Sequence, residues 1–154
     1  MDISLNINDV KFNYRTCLMI IKNDCILVEG NDEDEYVLLP GGRVKTNEDT
    51  KNGIIREMEE ELGYKFNKED LIDGTFYENF FTYENQKVHE LMFVYKVYVD
   101  DSFPIKDNDK NLDSFGNYYK WVNKNNLDSV KLVPKSLKEI IDTNEFIHVI
   151  DRDN

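Results

Sequence analysis

The chain has 154 residues, enough for one domain with an adequate core, and 40% hydrophobic with 12% aromatic residues excludes a disordered chain. Its net charge of −12 disfavours nucleic acid and anionic membrane surfaces, both of which are bound through basic patches. Met1 to Lys11 lacks the basic n-region of a signal peptide, and the apolar runs Cys17–Ile21 and Leu91–Tyr95 are too short to span a bilayer, so the expectation is a cytoplasmic protein.

In chain order, Phe12–Lys22 and Cys25–Glu29 are apolar and β-branched around Asn23-Asp24, which predicts a β-hairpin. Cys17 and Cys25 would not lie opposite each other in it, so they read as free thiols in a reducing compartment. Asn31–Glu35 is an acidic turn, and Tyr36–Leu39 a short strand stopped by Pro40-Gly41-Gly42. A helix follows, with Asp49 as N-cap and Gly63 just past its end. At helical spacing Ile54, Ile55, Met58 and Leu62 share one face, and Glu57, Glu60 and Glu61 share the adjoining one. Gly53 is expected above that acidic face, where a side chain would crowd whatever binds there.

Leu71–Tyr83 and Val88–Asp100 read as two long strands joined around Glu84-Asn85-Gln86. Asp101–Asn117 reads as a polar loop whose stretch Asp107–Asn111 is mobile and acidic, Tyr118–Val122 as a strand, Lys135–Thr143 as an amphipathic helix started by Pro134, and Phe146–Ile150 as a last strand. Strands of mixed order with one helix in the middle and one near the end predict an α/β (α+β) fold, an α/β/α sandwich with a mixed β-sheet, as a single domain over residues 1–154.

Like charges three and four residues apart on a helix cost about 0.2–0.5 kcal/mol per pair. That cost acquires a purpose if hard cations neutralise the cluster, since Mg²⁺ and Mn²⁺ prefer carboxylate oxygens. The flanking spacing is specific: Gly42, five residues, Glu48, seven residues, then Arg56-Glu57-Met58-Glu59-Glu60-Glu61-Leu62-Gly63-Tyr64. It resembles the signature of the Nudix hydrolase family, with each fixed position filled and Tyr64 standing where an aliphatic residue is usual.

The resemblance implies an α/β/α sandwich in which this segment is a loop–helix–loop, and hydrolysis of the pyrophosphate linkage in a nucleoside diphosphate joined to another moiety. It implies Mg²⁺ or Mn²⁺ held by Glu57, Glu60, Glu61 and the carbonyl of Gly42, and a clamp in which Arg56 and Glu48 hold the loop against the helix. Glu59 is expected to face solvent. Glu57 is the first candidate for general base, with Asp107, Asp109 and Asp113 as others; Asp107–Asn111 departs from a calcium loop at Leu112 and Tyr118.

Arg43 and Arg15 are candidate phosphate contacts because cations are scarce; Tyr36, Tyr83 and Trp121 are candidates to stack on a base, and His89 to touch substrate. The motifs that mark ADP-ribose or NADH relatives are absent beyond the signature. The expected partner is therefore a nucleotide-like small molecule (nucleotide, nucleotide-sugar or non-standard nucleoside triphosphate), with a homodimer possible by family habit. The alternative function is a Nudix domain that binds nucleotides without turning them over.

Overall fold

The computed structural model describes residues 1–153. Its strands are β1 (Ser4–Ile7), β2 (Val10–Lys22), β3 (Cys25–Gly30), β4 (Gly41–Arg43), β5 (Ile72–Tyr83), β6 (Gln86–Tyr98), β7 (Tyr118–Asn123) and β8 (Ile147–Arg152); its helices are α1 (Thr50–Leu62) and the short α2 (Leu127–Val130). The strands form one mixed sheet in the order β7-β3-β2-β6-β5-β8, with β1 and β4 also paired to β2. β2 with β6 and β5 with β8 are parallel, and the remaining pairs are antiparallel.

The predicted hairpins form. β2 and β3 pair through Ile21↔Ile26 and Lys22↔Cys25 around Asn23-Asp24, and both cysteines are free. The β5–β6 turn is the two residues Glu84-Asn85, both at positive φ (49° and 66°), which matches the twist of the strands it joins. α1 begins at Asp49, whose side chain accepts from the Asn52 amide, and ends at Gly63 with φ 69°. Left-handed backbone there is open to glycine without a Cβ clash.

Alternation along β2 and β6 gives the sheet two buried faces. Leu18, Ile20, Tyr95 and Val97 pack under α1 with Ile54, Met58 and Leu62. Tyr64 joins this layer by edge contacts to Phe66 and Phe103 at 4.7 and 4.9 Å, which is how an aromatic ring serves at an aliphatic position. Cys17, Met19, Ile21, Met92 and Val94 face the other way, beneath Leu127, Leu132, Leu137, Ile140 and Ile141. Two cores on one sheet make the α+β layering expected of the chain.

Four expectations need correction. Tyr36–Leu39 is not a strand: it makes only the single bridges Glu29↔Leu38 and Val37↔Leu132, while the strand begins at Gly41, where a β2 edge is free. The segment after Pro134 is a 3₁₀ helix, Lys135–Ile140, rather than an α-helix through Thr143. Its end is set by Lys96, 1% exposed, whose ammonium donates to the carbonyls of Ile140, Ile141 and Thr143.

The acidic loop is tied down rather than free. The Asn108 amide donates to the Tyr119 carbonyl (2.8 Å), the Tyr119 amide to the Asp109 carbonyl (2.9 Å) and the Leu112 amide to the Glu61 carbonyl (2.9 Å), with Phe103 and Ile105 buried beneath. Finally, a Cβ on Gly53 would meet Glu48 Oε1 at 3.1 Å and Thr16 Cγ2 at 3.4 Å, so this glycine makes room for the Glu48 side chain and the sheet.

Candidate active site

The site lies where the sheet splits. β3 keeps to β2 for only two residue pairs, after which β4 takes the β2 edge at Arg15–Cys17 and β3 runs alongside β7. α1 crosses over this gap: the Thr16 hydroxyl donates to the Thr50 carbonyl (3.0 Å), and Thr50 and Tyr95 share a 2.6 Å hydroxyl contact.

Arg56 organises one side. Its Nε donates to Glu48 Oε2 at 2.7 Å and its Nη2 to Glu48 Oε1 at 2.9 Å, a bidentate pair. Nη2 also reaches the Arg43 carbonyl (3.1 Å), and Nη1 reaches Glu57 Oε1 (3.1 Å) and Glu60 Oε2 (3.2 Å). Glu48 Oε1 further accepts from the Lys45 amide at 3.0 Å. The Arg56 guanidinium holds the Glu48 carboxyl below its ordinary range, and Glu48 in return raises the guanidinium. β4, the following loop and α1 are thereby joined through one side chain.

Glu57 and Glu61 are each 8% exposed, whereas Glu59 and Glu60 are exposed. Glu57 fills the space in front of Gly42, where a Cβ would overlap its carboxylate. Burial raises the Glu57 carboxyl and Arg56 opposes it. Burial pushes Glu61 up to about 9; repulsion from Glu29, Glu57 and Asp113 adds to it, and attraction from Arg15 opposes. Among the described residues Glu61 Oε2 has no hydrogen-bond partner.

Glu29 stands out because the sequence reading passed over it. It closes β3, with Oε1 accepting from Asn111 Nδ2 (3.0 Å) and Oε2 from Asn117 Nδ2 (2.9 Å). The neighbouring Tyr119 hydroxyl is fully buried and without a partner, and burial together with Glu29 and Glu61 keeps it protonated. The available signal was a glutamate ending the apolar run Ile26–Val28; its two asparagine partners come from a loop more than eighty residues away in sequence.

The remaining candidates divide. Arg15 is half-buried, 3.8 Å from Glu90, and within electrostatic reach of Glu61. Arg43 sits on β4 opposite Arg15. The Tyr36 hydroxyl is pushed up to about 12, chiefly by burial and then by Asp34 and Tyr83. His89 lies away from the acids: its ring packs on Phe80 (4.4 Å) and Phe12 (5.7 Å), in a cleft with Lys87 and Arg152 that none of the α1 carboxylates borders. Trp121 donates from Nε1 to the Ile105 carbonyl and carries Lys22 over its ring at 4.2 Å. Tyr83 is exposed at the tip of the β5–β6 hairpin. Among the loop acids, Asp107 accepts from the Trp121 amide and Asp109 from the Lys106 amide, while the Asp113 carboxylate acts on Glu61.

The donors around Glu57 and Glu61 are hard oxygens, and an unpartnered buried carboxylate oxygen amid like charges fits a divalent cation such as Mg²⁺ or Mn²⁺. Among the described residues no three acidic, histidine or cysteine side chains stand together as a ready cage. Glu57 and Glu60 each turn one oxygen to Arg56, so a cation there would draw on side chains that Arg56 also holds. No helix of the described residues is long and apolar enough to cross a membrane.

A NUDIX domain model matches residues 12–143. The solved structure of the MutT protein from Bacillus halodurans is similar over 91% of this chain and 89% of its own, at 14% identity and a TM-score of 0.70. The MutT protein from Methanosarcina mazei Go1 is 20% identical, with 88% and 93% covered and a TM-score of 0.57. An Ap4A hydrolase from C. elegans, solved as a binary complex, is 17% identical, with 83% and 91% covered and a TM-score of 0.55. Among curated proteins none matches.

Proposed function

The chain belongs to the NUDIX domain family and is a Nudix hydrolase, and we propose that it cleaves a phosphoanhydride bond in a nucleoside diphosphate joined to another moiety, with a divalent cation held at α1. The observation that carries the reading is the buried pair Glu57 and Glu61, 8% exposed each, with Glu61 Oε2 unpartnered and Gly42 leaving the space that Glu57 fills. Arg56 answers the charge of Glu57 but no bonded cation answers that of Glu61, and a fold keeps such a buried pair where a ligand of opposite charge offsets its cost.

In this reading Glu57, Glu60, Glu61 and the Gly42 carbonyl hold Mg²⁺ or Mn²⁺. Such an ion supplies charge neutralisation at the pyrophosphate and lowers the pKa of water bound to it. The chain's own residues do the rest. Arg56, locked by Glu48, keeps the Gly42–Arg43 backbone and the α1 acids in register. Glu57, held by Arg56 Nη1 at 3.1 Å, is the first candidate to accept a proton from the attacking water.

Asp113, which faces Glu61, is the loop acid that remains a candidate for the same task. Arg15 and Arg43 offer charge to the phosphates, and Tyr36, half-buried near Tyr83, a ring to the attached group. The Ap4A hydrolase and the MutT proteins of similar fold make nucleotide-containing anhydrides the class to test first.

The test is a panel of nucleoside triphosphates, dinucleoside polyphosphates and nucleotide-sugars, incubated with the protein and Mg²⁺, with released phosphate and pyrophosphate measured. Turnover abolished by chelator is the expected result. Metal-dependent binding with no turnover of any compound would overturn the catalytic reading and leave a nucleotide-binding domain.

A further inference from the structure

On the sheet face opposite α1, three polar residues form a row across β2, β6 and β5. Asn13 and Asn79 flank Glu90 in register, and the three are 9%, 3% and 8% exposed in the order Asn13, Asn79, Glu90. The next two rows along this face are mainly apolar, Arg15–Met92–Tyr77 and Cys17–Val94–Thr75, of which Cys17, Met92, Val94 and Tyr77 belong to the core. Replacing the polar row with apolar side chains would extend that core and remove a desolvation cost. The row is also incomplete, since among the described residues Asn79 Oδ1 has no partner.

Its bonds run in one direction. Asn79 Nδ2 donates to Glu90 Oε2 at 3.1 Å, and the other Glu90 oxygen stands 3.8 Å from Arg15 Nε. Arg15 lies two residues from Asn13 along β2, opposite Arg43 of β4, and one step from the Thr16↔Gly42 pair where Glu57 packs. The other guanidinium beside the acids, that of Arg56, is already committed to Glu48, Glu57, Glu60 and the Arg43 carbonyl. Among the described residues the Arg15 side chain has the 3.8 Å approach to Glu90 and an electrostatic contact with Cys17 but no hydrogen bond of the Arg56 kind, so N–H groups remain for an anion.

We propose that Asn79 and Glu90 are positioning residues that hold the Arg15 guanidinium beside the carboxylate cluster as a contact for a phosphate of the substrate. This rests on the chain acting on a phosphoanhydride. Glu90 keeps a half-buried arginine from turning into the acids themselves, where attraction to Glu61 would otherwise draw it. Asn79 keeps Glu90 from following the guanidinium. A flexible side chain with several rotors is thereby fixed before substrate arrives, which lowers the entropic cost of the contact.

The test measures inorganic pyrophosphate binding by calorimetry in Mg²⁺ for wild type, R15A, R15K, E90Q, N79A and the R15A/E90Q double variant. Manganese affinity and thermal melting serve as controls. R15A and E90Q should each weaken pyrophosphate by about tenfold, R15K should restore part of the R15A loss, and the double variant should be no weaker than R15A. N79A should show a smaller loss in the same direction. In turnover the loss should appear in KM, with manganese affinity unchanged.

Wild-type affinity in E90Q, or losses that multiply in the double variant, would overturn the positioning role and leave the hydrolase reading intact. The same holds if wild type hydrolyses a nucleotide without affinity for pyrophosphate. Equal falls in melting temperature, manganese affinity and pyrophosphate affinity would assign the row to the fold alone. Absence of both turnover and pyrophosphate binding in wild type would remove both readings.

Discussion

Glu61→Gln should make the protein without divalent metal more stable while removing its activity. Glu61 is 8% exposed and its carboxyl is pushed to about 9, against an ordinary value of 4.5. At pH 7 the unfolded chain has released that proton and the folded chain retains it, so the native state binds more protons and loses stability as pH rises from about 4.5 to about 9. At about 1.4 kcal/mol per pH unit, the cost at pH 7 is about 3 kcal/mol. Glutamine escapes that cost but buries an amide that lacks partners, which returns about 1–2 kcal/mol of it. The net gain is about 1–2 kcal/mol, or a melting temperature about 2–8 °C higher for a chain of this size. The assay is thermal melting in chelator from pH 5 to pH 9: the wild-type curve should fall with pH relative to the variant. Added Mg²⁺ should raise the wild type and leave the variant unmoved, while turnover drops by orders of magnitude. A variant less stable than wild type at pH 8 in chelator would refute the strained-carboxylate argument, and near-normal turnover would refute the metal assignment.

Arg56→Ala removes bonds to Glu48, Glu57, Glu60 and the Arg43 carbonyl; it should cost about 2–4 kcal/mol in urea unfolding together with most activity, and unchanged stability would contradict the clamp. Glu48 is held below its ordinary range by Arg56, so its contribution is present above the unfolded value near 4.5 and is lost as pH falls; Glu48→Gln should be less stable than wild type at pH 7, and the gap should close on acidification. Gly42→Ala puts a methyl into the Glu57 carboxylate and should lower turnover at least about tenfold, with metal affinity measured alongside. In that variant an unaltered affinity for Mn²⁺ would show that Glu57 has room to move.

The helix and its acids were legible because they are local. Asp49, Gly63 and the Ile54–Met58–Leu62 stripe all lie within one short segment, and capping and periodicity act over such distances. The hairpins were legible for the same reason, through Asn23-Asp24 and Glu84-Asn85. Where the sequence reading failed, a distant partner decided the local structure. Tyr36–Leu39 looks like a strand, yet it has one bridge to Glu29 on one side and one to Leu132 on the other. Lys135–Thr143 has helical periodicity, yet Lys96 of β6 takes its carbonyls. Gly53 was assigned to the acid face because helix phase alone does not reveal that Glu48 folds back over it. Glu29 was missed altogether: the asparagines that orient it lie 82 and 88 residues further along the chain, and the loop carrying them looked unattached.

If the chain acts on a phosphoanhydride as proposed, its charge of −12 opposes that substrate over the whole molecule, so the reconciliation has to be local. Arg56 does not provide it, because its donors are spent inside the protein on Glu48, Glu57 and Glu60. Arg15 does not provide it alone, since its one charge is shared between Glu90 and Glu61, and Glu61 also feels Glu29, Glu57 and Asp113. The cluster therefore calls for added positive charge at short range, and the nearer that charge sits to Glu61 the more it relieves. The same arrangement explains why long-range attraction is not needed. Screening at physiological salt confines the chain's overall repulsion to about 8 Å, so on the proposed reading a substrate arriving with its own counterion would meet an unpaired oxygen at Glu61 and donors at Arg15 that complement the two halves of that complex. On this argument affinity for the free nucleotide should be weak and affinity for its magnesium complex strong. A titration of nucleotide at constant excess over metal, set against one at constant excess of metal, distinguishes the two; equal affinities would show that the acids around Glu61 play no part in taking up the substrate.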